Sequence, residues 1–267
     1  MHTRLWRQKA QNAPMARLST HPFLTSPGAQ RFAHRGGALE GEENTLPAFR
    51  HAVSLGYTHV ELDVHATRDG VVVIHHDDTL QRLCGDTRAI AAMDWAELQT
   101  IRTRGGAPIP RLDDLLEEFP ELFVAIEAKS HSVVAPLAGL IARMNALERI
   151  CIGAFDPART RQARALLGPD LLWSPAHGQV ARLWAAGWGL PLALDDFAVV
   201  QVPVSWRGIP LVTPRFLRAA HQRGIHVQVW TVNDTDHMQR LLDWGVDGLM
   251  TDRPSLLNDV MARQQRE

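Results

Sequence analysis

Only two cysteines, Cys84 and Cys151, occur in the 267 residues, and they match no metal-binding or redox spacing. That leaves room for at most one disulfide and makes a reduced cytoplasmic interior the simpler expectation. No stretch approaches the roughly 20 apolar residues of a membrane span, so no stable membrane anchor is expected. Neither charge dominates: 28 Lys plus Arg stand against 29 Asp plus Glu, with no long run of either sign. This argues against nucleic acid or an anionic membrane as the main partner. Internal repeats and low-complexity segments are absent. The first 29 residues carry Arg4, Arg7, Lys9 and Arg17 but lack the apolar stretch of a secretory leader. They read as a polar N-terminal arm over residues 1–29, ahead of a domain over 30–267. Met15 opens a sequence that leads directly into the domain, so residues 1–14 are expected to be an extension outside the fold.

An apolar fraction of 45% supports a sizeable core. Short apolar runs alternate with helical patterns about every 25 to 35 residues, the period of βα units. Eight runs qualify: Arg31 to His34, His59 to Asp63, Phe123 to Glu127, Ile150 to Ala154, Leu171 to Ser174, Ala198 to Val202, His226 to Thr231 and Gly248 to Thr251. Amphipathic segments such as Leu46 to Leu55, Val133 to Asn145, Pro157 to Leu167, Pro214 to Arg223 and Thr235 to Trp244 lie between them. The expected fold class is α/β, a (β/α)8 TIM barrel with a small insertion after the second strand. Asp69-Gly70 reads as a turn into an extra strand over Val71 to Ile74. The insertion, about residues 77–110, is expected over the barrel mouth, where it would cover a site.

Titratable groups concentrate at the predicted C-terminal strand ends, where barrel enzymes place their chemistry. Glu61 and Asp63 stand two apart on a strand, so both carboxylates face one side and can converge on one divalent cation. Glu127 and Lys129 repeat that spacing, which offers Glu127 as a third metal ligand. His34 and His76 could pass protons to and from a leaving group. His75 must face away from its neighbour, and Asp77 is placed to orient the His76 ring. Arg35 offers a planar bidentate contact to phosphate and Lys129 a point charge; salt bridges to Glu43 or Asp77 are the competing account. Gly36 and Gly37 are expected to let backbone approach an anion. Asn44-Thr45 reads as a helix N-cap, with Glu43 evenly balanced between roles. Asp252 reads as a cap on the last helix. Trp230 is either core or an apolar wall, and Trp184, Trp188 and Trp206 read as packing.

The segments Ala-His34-Arg35-Gly36, Glu43-Asn44-Thr45, Glu61-Leu-Asp63, Thr67-x-Asp69-Gly70 and His76-Asp77-x-Thr79-Leu80-x-Arg82 follow one another in order. Ile-Glu127-x-Lys129, Val229-Trp230-Thr231-Val-Asn233 and Gly245-Val-Asp247-Gly248 come later. Together they resemble the glycerophosphodiester phosphodiesterase family from about Arg31 to Pro254. The resemblance implies a TIM barrel, a divalent cation, Mg2+ or Ca2+, and hydrolysis of a small-molecule glycerophosphodiester to glycerol 3-phosphate and an alcohol. It makes Glu61, Asp63 and Glu127 the metal ligands, His34 and His76 the acid/base pair, and Arg35 and Lys129 the phosphate contacts. Glu40, Glu42 and the Leu-Cys-Gly after Arg82 depart from the family pattern. A lipid-directed, phospholipase D-like enzyme and a catalytically silent phosphate-binding barrel are the alternatives.

Overall fold

The computed structural model describes residues 20–264; the expectations for residues 1–14 and Met15 lie outside them. Among the described residues the main sheet carries eight parallel strands: β1 (Gln30–His34), β2 (His59–Ala66), β4 (Phe123–Ala128), β5 (Ile150–Gly153), β6 (Leu172–Trp173), β7 (Val199–Pro203), β10 (His226–Trp230) and β11 (Gly248–Thr251). The order runs β6-β5-β4-β2-β1-β11-β10-β7, with the antiparallel β3 (Val72–Ile74) added to β2. Helices α1 (Leu46–Ser54), α4 (Leu112–Glu118), α5 (His131–Arg143), α6 (Pro157–Leu167), α7 (His177–Ala186), α8 (Pro214–His221), α9 (Thr235–Asp243) and α10 (Pro254–Gln264) alternate with the strands. The barrel is nearly closed. Between the short β6 and β7 no ladder forms, but the Gln201 amide donates to Ser174 Oγ at 2.9 Å across the gap.

Period-2 alternation sorts each strand into two faces. Val60, Leu62 and Val64 of β2, Val124 and Ile126 of β4, and Val227 and Val229 of β10 belong to the large core shared with the helices. Phe32, Ala125, Cys151, Leu172, Val199 and Met250 form a separate core with Phe23 and Leu24, inside the barrel. This corrects the polar-arm expectation for residues 20–29. Phe23 is fully buried, and its ring meets Phe32, His59 and Phe123 at centroid separations of 5.9, 5.2 and 5.8 Å. A parallel barrel has an open lower end, and covering it with one phenylalanine contributes about 2–3 kcal/mol of apolar burial. Above the plug, Gln228 Nε2 donates to Gln30 Oε1 (2.7 Å) and Gln201 Nε2 to Gln228 Oε1 (2.9 Å). Gln30 Nε2 in turn donates to the Phe23 carbonyl at 2.5 Å, so these buried amides satisfy one another.

Asp69-Gly70 turns β2 into β3 as expected, with Gly70 at φ +84°. The insertion, carrying short helices α2 (Gln81–Cys84) and α3 (Trp95–Leu98), packs its own small core of Val73, Leu80, Ile90, Met93, Leu98 and Ile109. It stands beside the loop after β1, where Thr103 Oγ1 and the Gly105 amide donate to Glu42 (2.5 and 2.8 Å). Of residues 76–110 only His76 reaches the cavity at the barrel mouth. The segment therefore flanks the site and does not cover it, because its apolar residues are spent on its own core. Both cysteines are free, Cys151 inside the barrel and Cys84 in the insertion.

Candidate active site

Strand register brings the acidic residues together. His34 of β1 pairs with Glu61 of β2, and Asp63 of β2 pairs with Glu127 of β4. Paired inward side chains on neighbouring strands stand about 5 Å apart, and one oxygen from each of Glu61, Asp63 and Glu127 lies within 4.8 Å of the others. Burial pushes the Glu61 carboxyl well above the usual carboxylate range, against the opposing charge of His34, and burial raises Glu127 too, against Lys129. Asp63 goes the other way: burial opposes its charge, but Arg35 and Lys129 outweigh that and hold it low.

Two cations already sit on these carboxylates. Arg35 Nε lies 3.1 Å from Asp63 Oδ2 and its Nη1 donates to Glu43 Oε1 at 3.1 Å. Lys129 Nζ lies 3.3 Å from Asp63 and 3.2 Å from Glu127. Lys9 is the only other lysine of the chain, which otherwise uses arginine for positive charge. With all three carboxylates ionised, two cations leave one negative charge, and a divalent cation would turn the cluster net positive, complementary to a phosphodiester monoanion. Asn44 Oδ1 is buried with no hydrogen-bond partner beside that cluster. An all-oxygen set with unbalanced negative charge fits a hard divalent cation.

Each histidine is oriented through Nδ1. His34 Nδ1 lies 2.6 Å from Asp252 Oδ1, and His34 Nε2 faces Glu61 at 3.6 Å. Burial disfavours the His34 cation, but Glu61 and the hydrogen bond to Asp252 outweigh it and raise the imidazole above its ordinary value. His76 Nδ1 lies 2.7 Å from Asp77 Oδ1, and Arg82 Nε donates to the other Asp77 oxygen at 2.6 Å. The Arg82 fork also donates to Glu43 (2.7 and 2.9 Å), tying both sides of the site together. Despite its partial burial, Asp77 is held down to about 2 by Arg82 and His76. His75 is buried, its Nε2 3.3 Å from the Thr79 carbonyl, and does not line the cavity.

The cavity has a volume of about 400 Å³ and is lined by His34, Arg35, Glu61, His76, Glu127, Lys129 and Trp230 among others. Four expectations change. Thr45 alone caps α1, accepting from the Ala48 amide, while Asn44, at φ 58°, donates to Asp63 Oδ2 at 3.0 Å. Asp252 does not cap the last helix; the Asn233 amide donates to its second oxygen (2.8 Å), so it is free to hold His34. Gly36 and Gly37 serve helix packing, because a Cβ there would come within 2.8 Å of Ala48 and of Pro254. Trp206 lines the cavity, at the end of a run of ring contacts from Trp230 through Phe155 (5.9 Å) and His177 (5.5 Å) to Trp206 (4.4 Å). Apart from the Thr45 cap, none of these roles has a local sequence signature, because each partner lies elsewhere in the chain. Arg35, at φ 52°, is the second non-glycine residue of the site in the left-handed region, a conformation costing about 1–3 kcal/mol that the surrounding contacts must maintain.

Carboxylates, oriented imidazoles and fixed cations at the mouth of a (β/α)8 barrel are the groups that cleavage of a phosphate ester calls for. The profile of the glycerophosphoryl diester phosphodiesterase family matches residues 34–256. A Mycobacterium tuberculosis protein named "Probable glycerophosphodiester phosphodiesterase 2" is 38% identical over 253 residues, covering 91% of this chain and 94% of that one. Rat lysophospholipase D GDPD1 is 25% identical, covering 87% and 86%. Among solved structures, the glycerophosphodiester phosphodiesterase of Agrobacterium tumefaciens superposes with a TM-score of 0.74 at 24% identity, covering 88% of this chain and 99% of that one. The chain belongs to the glycerophosphoryl diester phosphodiesterase family and is an enzyme of that class.

Proposed function

We propose that this protein hydrolyses glycerophosphodiesters to glycerol 3-phosphate and an alcohol, with His34 and His76 as the general acid/base pair. The observation that carries this reading is the convergence of both histidines on one cavity with Glu61, Glu127, Arg35 and Lys129. Glu61, Asp63 and Glu127 would hold the divalent cation, Mg2+ or Ca2+, which when bound supplies positive charge to the phosphate oxygens. Arg35 and Lys129 add fixed positive charge and orient the phosphate. One imidazole takes the proton of the attacking hydroxyl, either water or the glycerol 2-hydroxyl, as its oxygen bonds to phosphorus. The other gives a proton to the alcohol oxygen as its bond to phosphorus breaks. Attack by water yields glycerol 3-phosphate directly; attack by the 2-hydroxyl yields a cyclic glycerol phosphate, which a water then opens to glycerol 3-phosphate with the two imidazoles exchanging roles. Asp252 and Asp77 hold the two rings so that Nε2 of each is the exchanging atom. Substitution of either histidine by alanine is expected to lower turnover of glycerophosphocholine about 10²- to 10⁴-fold while metal affinity by calorimetry persists. Near-normal turnover in both variants would sink the assignment.

The ring wall from Trp230 to Trp206 supports a second reading, a lysophospholipid substrate whose apolar portion lies along the rings. Comparing turnover of glycerophosphocholine and lysophosphatidylcholine separates the two. A cytoplasmic location fits the two free thiols, and among the described residues no helix is long and apolar enough to cross a membrane.

A further inference from the structure

Beyond the cavity wall formed by the first turns of α7, two adjoining loops present large apolar side chains to solvent, and the second reaches the cavity through Trp206. One follows α7 and the other is the hairpin of β8 (Ser205–Trp206) and β9 (Ile209–Pro210). Trp188 is 61% exposed, Ile209 58%, Leu190 53% and Trp206 41%. The loops form one surface: Trp184 Nε1 donates to the Pro210 carbonyl at 3.3 Å, and the Trp184 and Trp188 rings are 5.8 Å apart. Isolated exposed apolar residues need no explanation, but five on adjoining loops, Leu192 (41%) included, do. Arginines border them. The Arg215 guanidinium lies 4.0 Å from the Trp188 ring centroid and that of Arg207 5.9 Å from Trp206. Nearby Asp196 is already engaged, accepting from Arg164 at 2.5 Å, whereas Asp195 is exposed. Two exposed arginines, Arg207 and Arg215, against one exposed carboxylate, Asp195, leave this rim net positive.

We propose that this rim is a docking surface for a phospholipid bilayer, seating the open cavity against anionic headgroups. Tryptophan with arginine is the pairing that suits a membrane interface, one part apolar and the other charged. Continuity with the cavity argues for a bilayer over a second copy of the chain, because Trp206 belongs both to the rim and to the cavity lining. A protein seated on the hairpin would obstruct the mouth, whereas a bilayer surface presents phosphodiesters to it. The contact is peripheral and reversible, held by a few side chains.

The proposal is independent of the catalytic assignment, since binding is scored without turnover. Full-length protein is sedimented with vesicles of phosphatidylcholine, and of phosphatidylcholine with phosphatidylglycerol. The mixed vesicles are expected to bind it and the neutral ones to bind it less, with added salt releasing it. Arg207→Ala with Arg215→Ala is expected to weaken binding about 25-fold, about fivefold for each arginine. Trp188→Ser with Ile209→Ser is expected to abolish it. All four side chains are exposed, so thermal melting should be unchanged in both variants. Failure of the wild type to bind either vesicle, or equal binding by both variants, would overturn the proposal. So would a wild-type dimer in sedimentation velocity that Trp188→Ser with Ile209→Ser converts to monomer.

Discussion

Replacing Asp252 by asparagine tests the acid/base assignment through one hydrogen atom. The carboxylate accepts two hydrogen bonds, from Asn233 Nδ2 at 2.8 Å and from His34 Nδ1 at 2.6 Å. An asparagine there has one oxygen. If that oxygen keeps the bond from Asn233, its NH2 group meets His34 Nδ1, which must then accept; the ring proton moves to Nε2, and the lone pair leaves the side facing Glu61. A hydrogen bond to a charged partner is worth about 1.5–3 kcal/mol, which corresponds to a fall of about one to two pH units in the His34 pKa. The sign is independent of role. Glu61 and Asp252 raise His34 against its burial, so losing Asp252 moves the His34 limb of the pH–rate profile to lower pH, whether that limb is the acidic or the alkaline one. A cation on Glu61 offsets that carboxylate's contribution and leaves the one from Asp252 in place. We expect kcat/KM for glycerophosphocholine to fall about 10²- to 10⁴-fold, with the limb displaced and thermal stability little changed. A profile with both limbs in place and less than a tenfold loss would refute the orienting role.

Lys129 should tolerate neither removal nor exchange: Lys129→Met should cost about 10- to 100-fold in kcat/KM through the lost charge, and Lys129→Arg should not restore it, because a planar fork cannot replace a point charge between Asp63 and Glu127. Full activity of the arginine variant would show that charge alone is required. Metal binding is expected to stabilise the fold by about 2.7 kcal/mol at a hundredfold excess over Kd, seen as a higher melting temperature with Mg2+ or Ca2+ that chelator reverses. The same cation should leave Glu61→Gln with Asp63→Asn unaffected; equal stabilisation of that variant would place the metal elsewhere. His59, buried under the plug, is held by that burial down to about 4 against an ordinary 6.5. Its contribution is therefore complete above pH 6.5 and is lost as pH falls towards about 4, a total of ~3 kcal/mol. Urea unfolding at pH 7 and pH 4.5 should show a smaller acid loss in His59→Gln than in the wild type, and identical losses would remove His59 as the cause.

Much of this molecule follows from local pattern. Glu61 and Asp63 share a face because strand side chains alternate, and the eight βα periods are set by where apolar runs and helix starts recur. The turn at Asp69-Gly70 and the orientation of His76 by Asp77 involve neighbours in the chain, so they too are legible in one dimension. The remaining parts depend on register and closure. Asp63 meets Glu127 only because β2 and β4 pair in that register, and His34 meets Asp252 only because the last strand returns beside the first. Asn44 looks like a cap until β2 places Asp63 3.0 Å from it. Phe23 looks like part of a polar arm until the barrel presents an open lower end to cover. The ring wall of Trp230, Phe155, His177 and Trp206 is drawn from a strand end, a loop, a helix start and a hairpin with no common motif. Alternation and period are properties of adjacent residues and survive in the sequence, whereas proximity across a closed barrel is created by folding.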